Sequence, residues 1–552
     1  MAEFTKFNML PDTYRQKDWS SLLETITRLD HLPTAANDLQ KVAIIDVGSN
    51  SFRLIVITYL PGVYFQLTDE VRETVRLVHN LGATGRLSRE SMSHALDAMR
   101  LYAAFCRASD IKDIRAVATS AVREADNREE FLARVKRETG LQVRLLSGQE
   151  EAYYGYLAAV NSTTLRNGYV MDLGGGSMQI TRVVERDMAE TVSFTLGAVR
   201  TTEDWLPELP PTKDQVAKLR KHVREQLKAL KWFKPKNDLQ FVAEGGSLRN
   251  LARIAQKRSG YPLEELHGYQ LPYEALKSVV RELETMTPPE KLKMPGMKPD
   301  RADIALAAGI VIEEVMRHCE AEYATVCGQG LREGVFYERF FSMTNGGITP
   351  DHPPRFENVR QASVLNIAHL YRFQARHADH VAYLSLSLFD QMASFHRSED
   401  EGFLTPAERE ILWAACILHD IGMAIDYNDH HRHSYYLILN SGLPGWTHRE
   451  LALIALAARF HRKGMPTLDE LAGALQSDDM QRLLRITACL RLAEQLDRSR
   501  DGAIHDVYLE MREDRCILHA MCDDDPTVAI WSAQTHTEIF RLAFGIPLEI
   551  VG

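Results

Sequence analysis

The sequence predicts an α/β fold built from two similar lobes, followed by an all-α domain and a small α+β cap, and three observations carry this reading. A strand–turn–strand pattern with the same internal spacing occurs twice, about 125 residues apart. The segment Ser342–Pro354 gathers Gly346, Gly347, Pro350, Pro353 and Pro354 and reads as a linker. Beyond it strand alternation stops, and short apolar runs return only after residue 500. The expected division is a helical extension over 1–40, lobe I over 41–160, lobe II over 161–345, a helical domain over 346–500 and a cap over 501–552.

In chain order, residues 1–40 carry a partly amphipathic pattern around Trp19–Leu29. From Lys41 the pattern becomes α/β, with strands expected at 42–46, 53–60, 63–67, 71–78, 114–118 and 142–146 and helices at about 88–107 and 127–139. The second of these helices has Asn127 and Glu130 at capping-box spacing and Gly140 just past its end. Lobe II adds a cationic helix over Lys213–Lys231 and a loop rich in Pro, Lys and Met over Thr287–Pro299. Residues 358–498 read as a helical bundle, and the cap as three strands, Val507–Met511, Cys516–Met521 and Pro526–Trp531.

The repeated pattern has a chemical meaning. Ile45-Asp46-Val-Gly48-Ser49-Asn50-Ser51 and Met171-Asp172-Leu-Gly174-Gly175-Gly176-Ser177 each place a Gly two residues and a Ser five residues after an Asp. Gly, Ser and Asn accept the tight turn of a hairpin. The backbone N–H groups such a turn exposes form a nest for phosphate oxygens, and an Asp at the strand end holds a hydrated divalent cation. One copy would be only a turn; two matching copies suggest two lobes facing one phosphate chain.

Composition limits the alternatives. With 45% hydrophobic and 25% charged residues the chain has the balance of a soluble globular protein. No apolar run reaches the length of a membrane span, and Met1–Asp18 lacks the apolar core of a secretory signal. Seven scattered Cys without a CxxC pair suit reduced thiols in a cytoplasm. A net charge of −10 argues against a dedicated nucleic-acid binder. The basic run from Lys213 to Lys236 is either a solvated helix face or a track for a polyanion, which Arg432, Arg462 and Lys463 would extend.

Between the two loops lies Ser147-Gly-Gln-Glu150-Glu151-Ala152. Ser147 and Glu150 have capping-box spacing, so Glu150 is either a structural cap or an acid of the site. Glu151, about 100° further around the helix, has no local partner in the sequence. It is either a solvated helical Glu or a base that orients and deprotonates a water for in-line attack on phosphorus.

These segments, with Ala118-Thr-Ser-Ala-Val-Arg123 and Gly330-Leu-Arg-Glu-Gly334, resemble the exopolyphosphatase / guanosine-pentaphosphate phosphatase family over Lys41 to about Phe341. That family belongs to the actin, sugar-kinase and heat-shock-chaperone superfamily, so the resemblance implies two RNase H-like lobes. It implies that Glu151 is the catalytic base, that Arg123 lies nearby, and that Asp172, with Asp46, holds Mg²⁺. It also implies that Gly48, Ser49, Asn50, Ser51, Gly174, Gly175, Gly176 and Ser177 bind phosphate. The family usually has a small residue ahead of the third glycine turn, where this chain has Glu244 before Gly245 and Gly246.

Histidine is unevenly spread, with six before residue 320 and fourteen after residue 350. His380, the pair His419-Asp420 and Asp497 resemble the ligand set of HD-type metal phosphohydrolases, and His431, His433 and His461 would add ligands for a second metal. Imidazole with hard carboxylates suits Mn, Fe or Mg. In the family's long members the His-Asp pair is often altered and this domain is regarded as structural; here it is intact. Those long members dimerise through it, which implies a homodimer.

The expected activity is Mg²⁺-dependent processive hydrolysis of terminal phosphate from inorganic polyphosphate. The alternatives are hydrolysis of guanosine pentaphosphate at the same site, an ATP-dependent kinase or chaperone-like switch, and a polyphosphate- or nucleotide-binding regulator with an HD-type phosphohydrolase domain.

Overall fold

The computed structural model describes residues 39–78, 81–234, 239–343, 347–349, 353–395, 404–523 and 525–552. The extension expected over 1–40 lies outside them apart from its last two residues.

The apolar run Val42–Ile45 lies wholly buried in strand β1 (Gln40–Val47), which turns through Gly48–Asn50 into β2 (Ser51–Leu60). Strand β3 (Tyr64–Thr74) follows as a largely exposed edge, then β4 (Asp113–Ala118) and β5 (Val143–Leu145). The order is β3-β2-β1-β4-β5, antiparallel across the first three strands and parallel from β1 to β4 to β5. The two strands expected at 63–67 and 71–78 are therefore one.

The second sheet repeats this plan. Its strands are β6 (Gly168–Leu173), β7 (Met178–Val184), β8 (Asp187–Phe194), β9 (Gln240–Glu244), β10 (Gln270–Pro272) and β11 (Tyr323–Val326). Their order is β10-β11-β9-β6-β7-β8, so β8-β7-β6-β9-β11 matches β3-β2-β1-β4-β5 with one edge strand added. The register agrees as well: Val47 pairs with Phe52 and Leu173 with Met178, leaving the two turns at equivalent ends.

Between the sheets, helix Gly148–Ser162 packs against helix Leu331–Ser342, which returns from the second lobe onto β1. A Cβ on Gly334 would sit 2.0 Å from the Tyr154 carbonyl oxygen, so the close approach of these helices depends on glycine there. Phe336 meets Tyr59 at 5.7 Å and Phe65 at 5.0 Å between ring centroids. Each such pair contributes about 0.5–1.5 kcal/mol beyond area burial.

Other local expectations differ. Asn127 does not cap its helix; its side-chain amide bonds both the N–H and the carbonyl of Leu87, while Gly140 ends the helix at φ 77°. Thr287–Pro299 contains a capped helix, Pro288–Lys293. The cationic helix, Lys213–Lys228, turns its arginines inward: Arg220 bonds Glu284, Glu313 and Glu314, and Arg224 bonds Glu314. Lys218 and Lys221 are exposed beside Asp214 and Glu225.

From Val359 onward helices pack in a bundle with its own core. The cap has a three-stranded sheet of β12 (Ile504–Met511), β13 (Cys516–Cys522) and β14 (Leu548–Val551). Residues 527–531 belong to helix Thr527–Gln534, with Pro526 at its N-cap, rather than to a strand. The architecture is thus two α/β lobes, an all-α domain and a small α+β cap. Among the described residues no helix is long and apolar enough to cross a membrane.

Candidate active site

The two turns face each other at the ends of their sheets. A Cβ on Gly176 would lie 2.7 Å from Ser49 Oγ and 2.5 Å from Ser120 Oγ, and one on Gly175 would lie 3.2 Å from the Asn50 backbone nitrogen. Ser49 and Ser120 hydroxyls are 2.9 Å apart. The glycines here are what let one loop approach the other. Both loops, with Asp46, Asp172, Glu151 and the third turn Gly245–Gly246, line a pocket of about 130 Å³.

Glu151 enters this pocket from the first turn of helix Gly148–Ser162. Ser147 caps that helix by accepting from the Glu150 N–H, and the Glu150 carboxylate accepts from the Ser147 N–H at 2.8 Å. Glu150 also bonds Arg144 and is absent from the pocket lining. Of the two readings left open for it, the structure places Glu150 as the cap, and the cap aims its neighbour. Glu151 is 6% exposed, with one oxygen accepting from Arg123 Nη1 at 3.1 Å and the other from Ser177 Oγ at 3.2 Å. Arg123 is fixed by donating to the Leu146 carbonyl at 2.9 Å. Burial lifts the Glu151 carboxyl to about 7, with Arg123 opposing and the charge of Asp172 adding to the rise.

Asp46 and Asp172 open onto the pocket floor. Burial raises both, Asp172 to about 6 with help from the Asp46 charge. Behind them Glu244 is fully buried, has no hydrogen-bond partner on either oxygen among the described residues, and is pushed well above the carboxylate range by burial and by Asp172. Buried carboxylates open to the same pocket, as Asp46 and Asp172 are, are the oxygen ligands a hard divalent cation takes.

A cationic surface lies apart from the basic run at 213–236. An outer cavity of about 800 Å³ shares Arg53, Gly246, Arg249 and Arg301 with the inner pocket and adds Arg72, Arg253 and Lys298. These side chains come from β2, β3, helix Gly246–Ser259 and the turn at 298–301, far apart in sequence. Burial and the facing guanidiniums of Arg332, Arg249 and Arg72 pull Arg53 down to about 9, and burial with Arg72 pulls Arg301 to about 10. Arg53 is paired in part by Glu70, and Arg72 by Asp300; the cavity lining still carries more cations than carboxylates, a surplus that suits an anionic ligand. Leu439 and Asn440 close the cavity from the C-terminal end of helix His430–Ser441. Lys463 pairs with Asp429 and Arg462 lies over Tyr427, at that helix's other end.

In the helical domain His419 and Asp420 do come together with other histidines, but the set differs from the expected one. His380 is turned to the Ile504 carbonyl at 2.8 Å, and His377, one turn earlier, points inward. Asp497 is engaged by His377 Nδ1 at 2.7 Å. His430, His461 and Glu494 complete the cluster. His431 is buried beside it with Nδ1 unpartnered, and His433 packs near Gly422.

Residues 56–342 match the Ppx/GppA phosphatase family and residues 359–525 match domain III of Ppx/GppA phosphatases. Exopolyphosphatase 1 of Mycobacterium leprae (strain TN) is 29% identical over 316 residues, covering 55% of this chain and 91% of that protein. Exopolyphosphatase 1 of Mycobacterium tuberculosis (strain ATCC 25618 / H37Rv) is likewise 29% identical, over 55% of this chain and 90% of that one. Among solved structures, an Aquifex aeolicus Ppx/GppA family member is similar with a TM-score of 0.48 at 29% identity, covering 54% of this chain and 96% of that one. An exopolyphosphatase from Cytophaga hutchinsonii ATCC 33406 has a TM-score of 0.49 at 23% identity, covering 56% and 100%. The family match runs through the second facing loop, the capped helix that carries Glu151 and the helical domain beyond, and the chain belongs to the Ppx/GppA phosphatase family, whose members are hydrolases acting on phosphoric anhydrides.

Proposed function

We propose that this chain is an exopolyphosphatase, removing terminal orthophosphate from inorganic polyphosphate processively with Mg²⁺ as cofactor. The observation that carries the choice of substrate is the outer cavity. It is large, cationic and continuous with the inner pocket, and no aromatic ring for a guanine to stack on is among its lining residues. A polyanion gains from such a path at every phosphate, whereas a nucleoside gains little.

In this reading the terminal phosphoryl group sits between the two turns, its oxygens accepting from backbone N–H groups of Gly48–Ser51 and Gly174–Ser177. Asp172 and Asp46 would hold Mg²⁺, which supplies charge neutralisation for the phosphoryl oxygens. Ionised Glu151 accepts a proton from water as the water oxygen bonds phosphorus in line with the departing bridge oxygen. The bridging P–O bond breaks, the shortened chain leaves with that oxygen, and Glu151 returns its proton to solvent. Arg123 holds the Glu151 carboxylate in orientation. A base with a pKa near 7 is matched to this task.

The test is phosphate release with Mg²⁺ from long-chain polyphosphate and from guanosine pentaphosphate in parallel. The proposal expects the polymer to be preferred by kcat/KM. Preference for the nucleotide would move the activity to the alarmone, and release from neither would make the lobes a binding module.

A further inference from the structure

The helical domain contains a buried cluster that the front reaction does not use. Four histidines have their Nδ1 atoms tied down. His419 Nδ1 is 2.6 Å from the Cys416 carbonyl, His461 Nδ1 is 2.7 Å from that of Ala458, and His430 Nδ1 is 2.9 Å from that of Tyr427. His377 Nδ1 is held by Asp497. A carbonyl oxygen only accepts, so each of the first three rings must carry its proton on Nδ1. Its Nε2 is then a lone pair unless the ring is an imidazolium.

Those Nε2 atoms converge. His430 Nε2 and His461 Nε2 are 3.2 Å apart. Asp420 Oδ1 is 3.2 Å from the first, 3.6 Å from the second and 3.7 Å from His419 Nε2. His419 is fully buried, and its Nε2 lies 3.2 Å from Glu494 Oε2. Two neutral imidazoles cannot rest lone pair to lone pair at van der Waals contact without something between them. The alternative is an imidazolium donating to its neighbour, a charge held in the protein core beside Asp420 and Glu494 at a desolvation cost.

The spacing itself is informative. Ligand atoms about 2.1 Å from one metal ion lie about 3.0 Å apart across an octahedral edge and about 3.4 Å apart across a tetrahedral one. The observed separations fall in and just above that range. Imidazole Nε2 with Nδ1 anchored on a carbonyl is also how proteins orient metal-binding histidines.

We propose that His419, His430, His461 and Asp420, with Glu494 beside them, form a binding site for a divalent first-row transition metal. A donor set of three imidazoles and hard carboxylates selects Mn, Fe, Co, Ni or Zn over Mg or Ca. His377 bridges Asp497 and Glu494, its Nε2 3.0 Å from Glu494 Oε2, and so positions Glu494. Arg500 Nη2 donates to Asp420 Oδ2 at 2.6 Å and leaves Oδ1 to the metal.

The experiment uses the full chain, purified without a polyhistidine tag. Metal content is measured as isolated, and Co²⁺ is titrated into chelator-treated protein while the visible d–d bands are followed. At least one equivalent per chain is expected, lost in His461→Ala and in His430→Ala and kept in Glu151→Gln. Thermal unfolding of wild type should move up with Co²⁺ and down with chelator. No bound metal with no Co²⁺ bands, or equal Co²⁺ uptake by wild type and the histidine variants, would overturn the site. Should the variants fail to fold, a wild-type melting temperature indifferent to both Co²⁺ and chelator overturns it as well.

Discussion

The front pocket is lined by two hairpin turns, by Asp46, Asp172 and Glu151, and by Arg53, Arg249, Arg301 and Arg332. In the helical domain the converging groups are imidazole nitrogens from the ends of several helices, with Asp420 and Glu494 among them. The first arrangement is fixed locally, because a turn of given length and glycine content points its own N–H groups. The second exists only once separate helices have packed in register. On the two proposals made above, one chain holds an anion-shaped site and a cation-shaped site, and the two should respond to different perturbations.

The strongest blow to the front site short of its base is Asp172→Asn. It should cut turnover by about 10²–10³-fold and abolish the response to added Mg²⁺, while metal content of the helical domain stays unchanged. Loss of both properties together would show the two sites to be coupled and break the comparison.

The outer cavity comes next. Arg53→Gln combined with Arg249→Gln should raise KM for long polyphosphate about tenfold or more and flatten its salt dependence, with a smaller effect on short chains. An equal effect on all chain lengths would place the polymer elsewhere.

A third expectation concerns pH. Glu151 is needed ionised and burial lifts it to about 7, so kcat/KM should fall as pH drops through that value. Arg123 lowers this carboxyl, so Arg123→Gln should move the acid limb upward and lose more activity below pH 7 than above it. Stability runs the other way. The folded-state value lies above the unfolded one, so the contribution of Glu151 is complete below its ordinary value of 4.5 and is lost as pH rises through about 7. Glu151→Gln should therefore gain melting temperature over wild type in alkaline more than in acidic buffer.

The smallest effect belongs to the basic helix. Lys218→Ala with Lys221→Ala should change KM less than about twofold, since these side chains are exposed and paired within their own helix.

Much of the front half was legible because its signals are local. The Asp-x-Gly spacing located both turns, the buried run Val42–Ile45 located β1, and Ser147 with Glu150 located the helix start that aims Glu151. What the sequence hid was long-range. Arg53, Arg72, Arg249 and Arg301 come from separate elements and form no run, whereas the visible run at 213–236 spends its arginines on Glu313 and Glu314. His377 and His380 lie one helical turn apart, and only packing against Glu494 and Asp497 decides which faces inward. The short apolar stretch at 526–531 carries no period that separates strand from helix.

The most direct measurement is single-turnover phosphate release from long-chain polyphosphate by wild type and Glu151→Gln, with polymer affinity measured on the same samples. The account predicts a fall of about 10²–10⁴-fold in the rate with affinity kept. A variant that releases phosphate within a few-fold of wild type would contradict it.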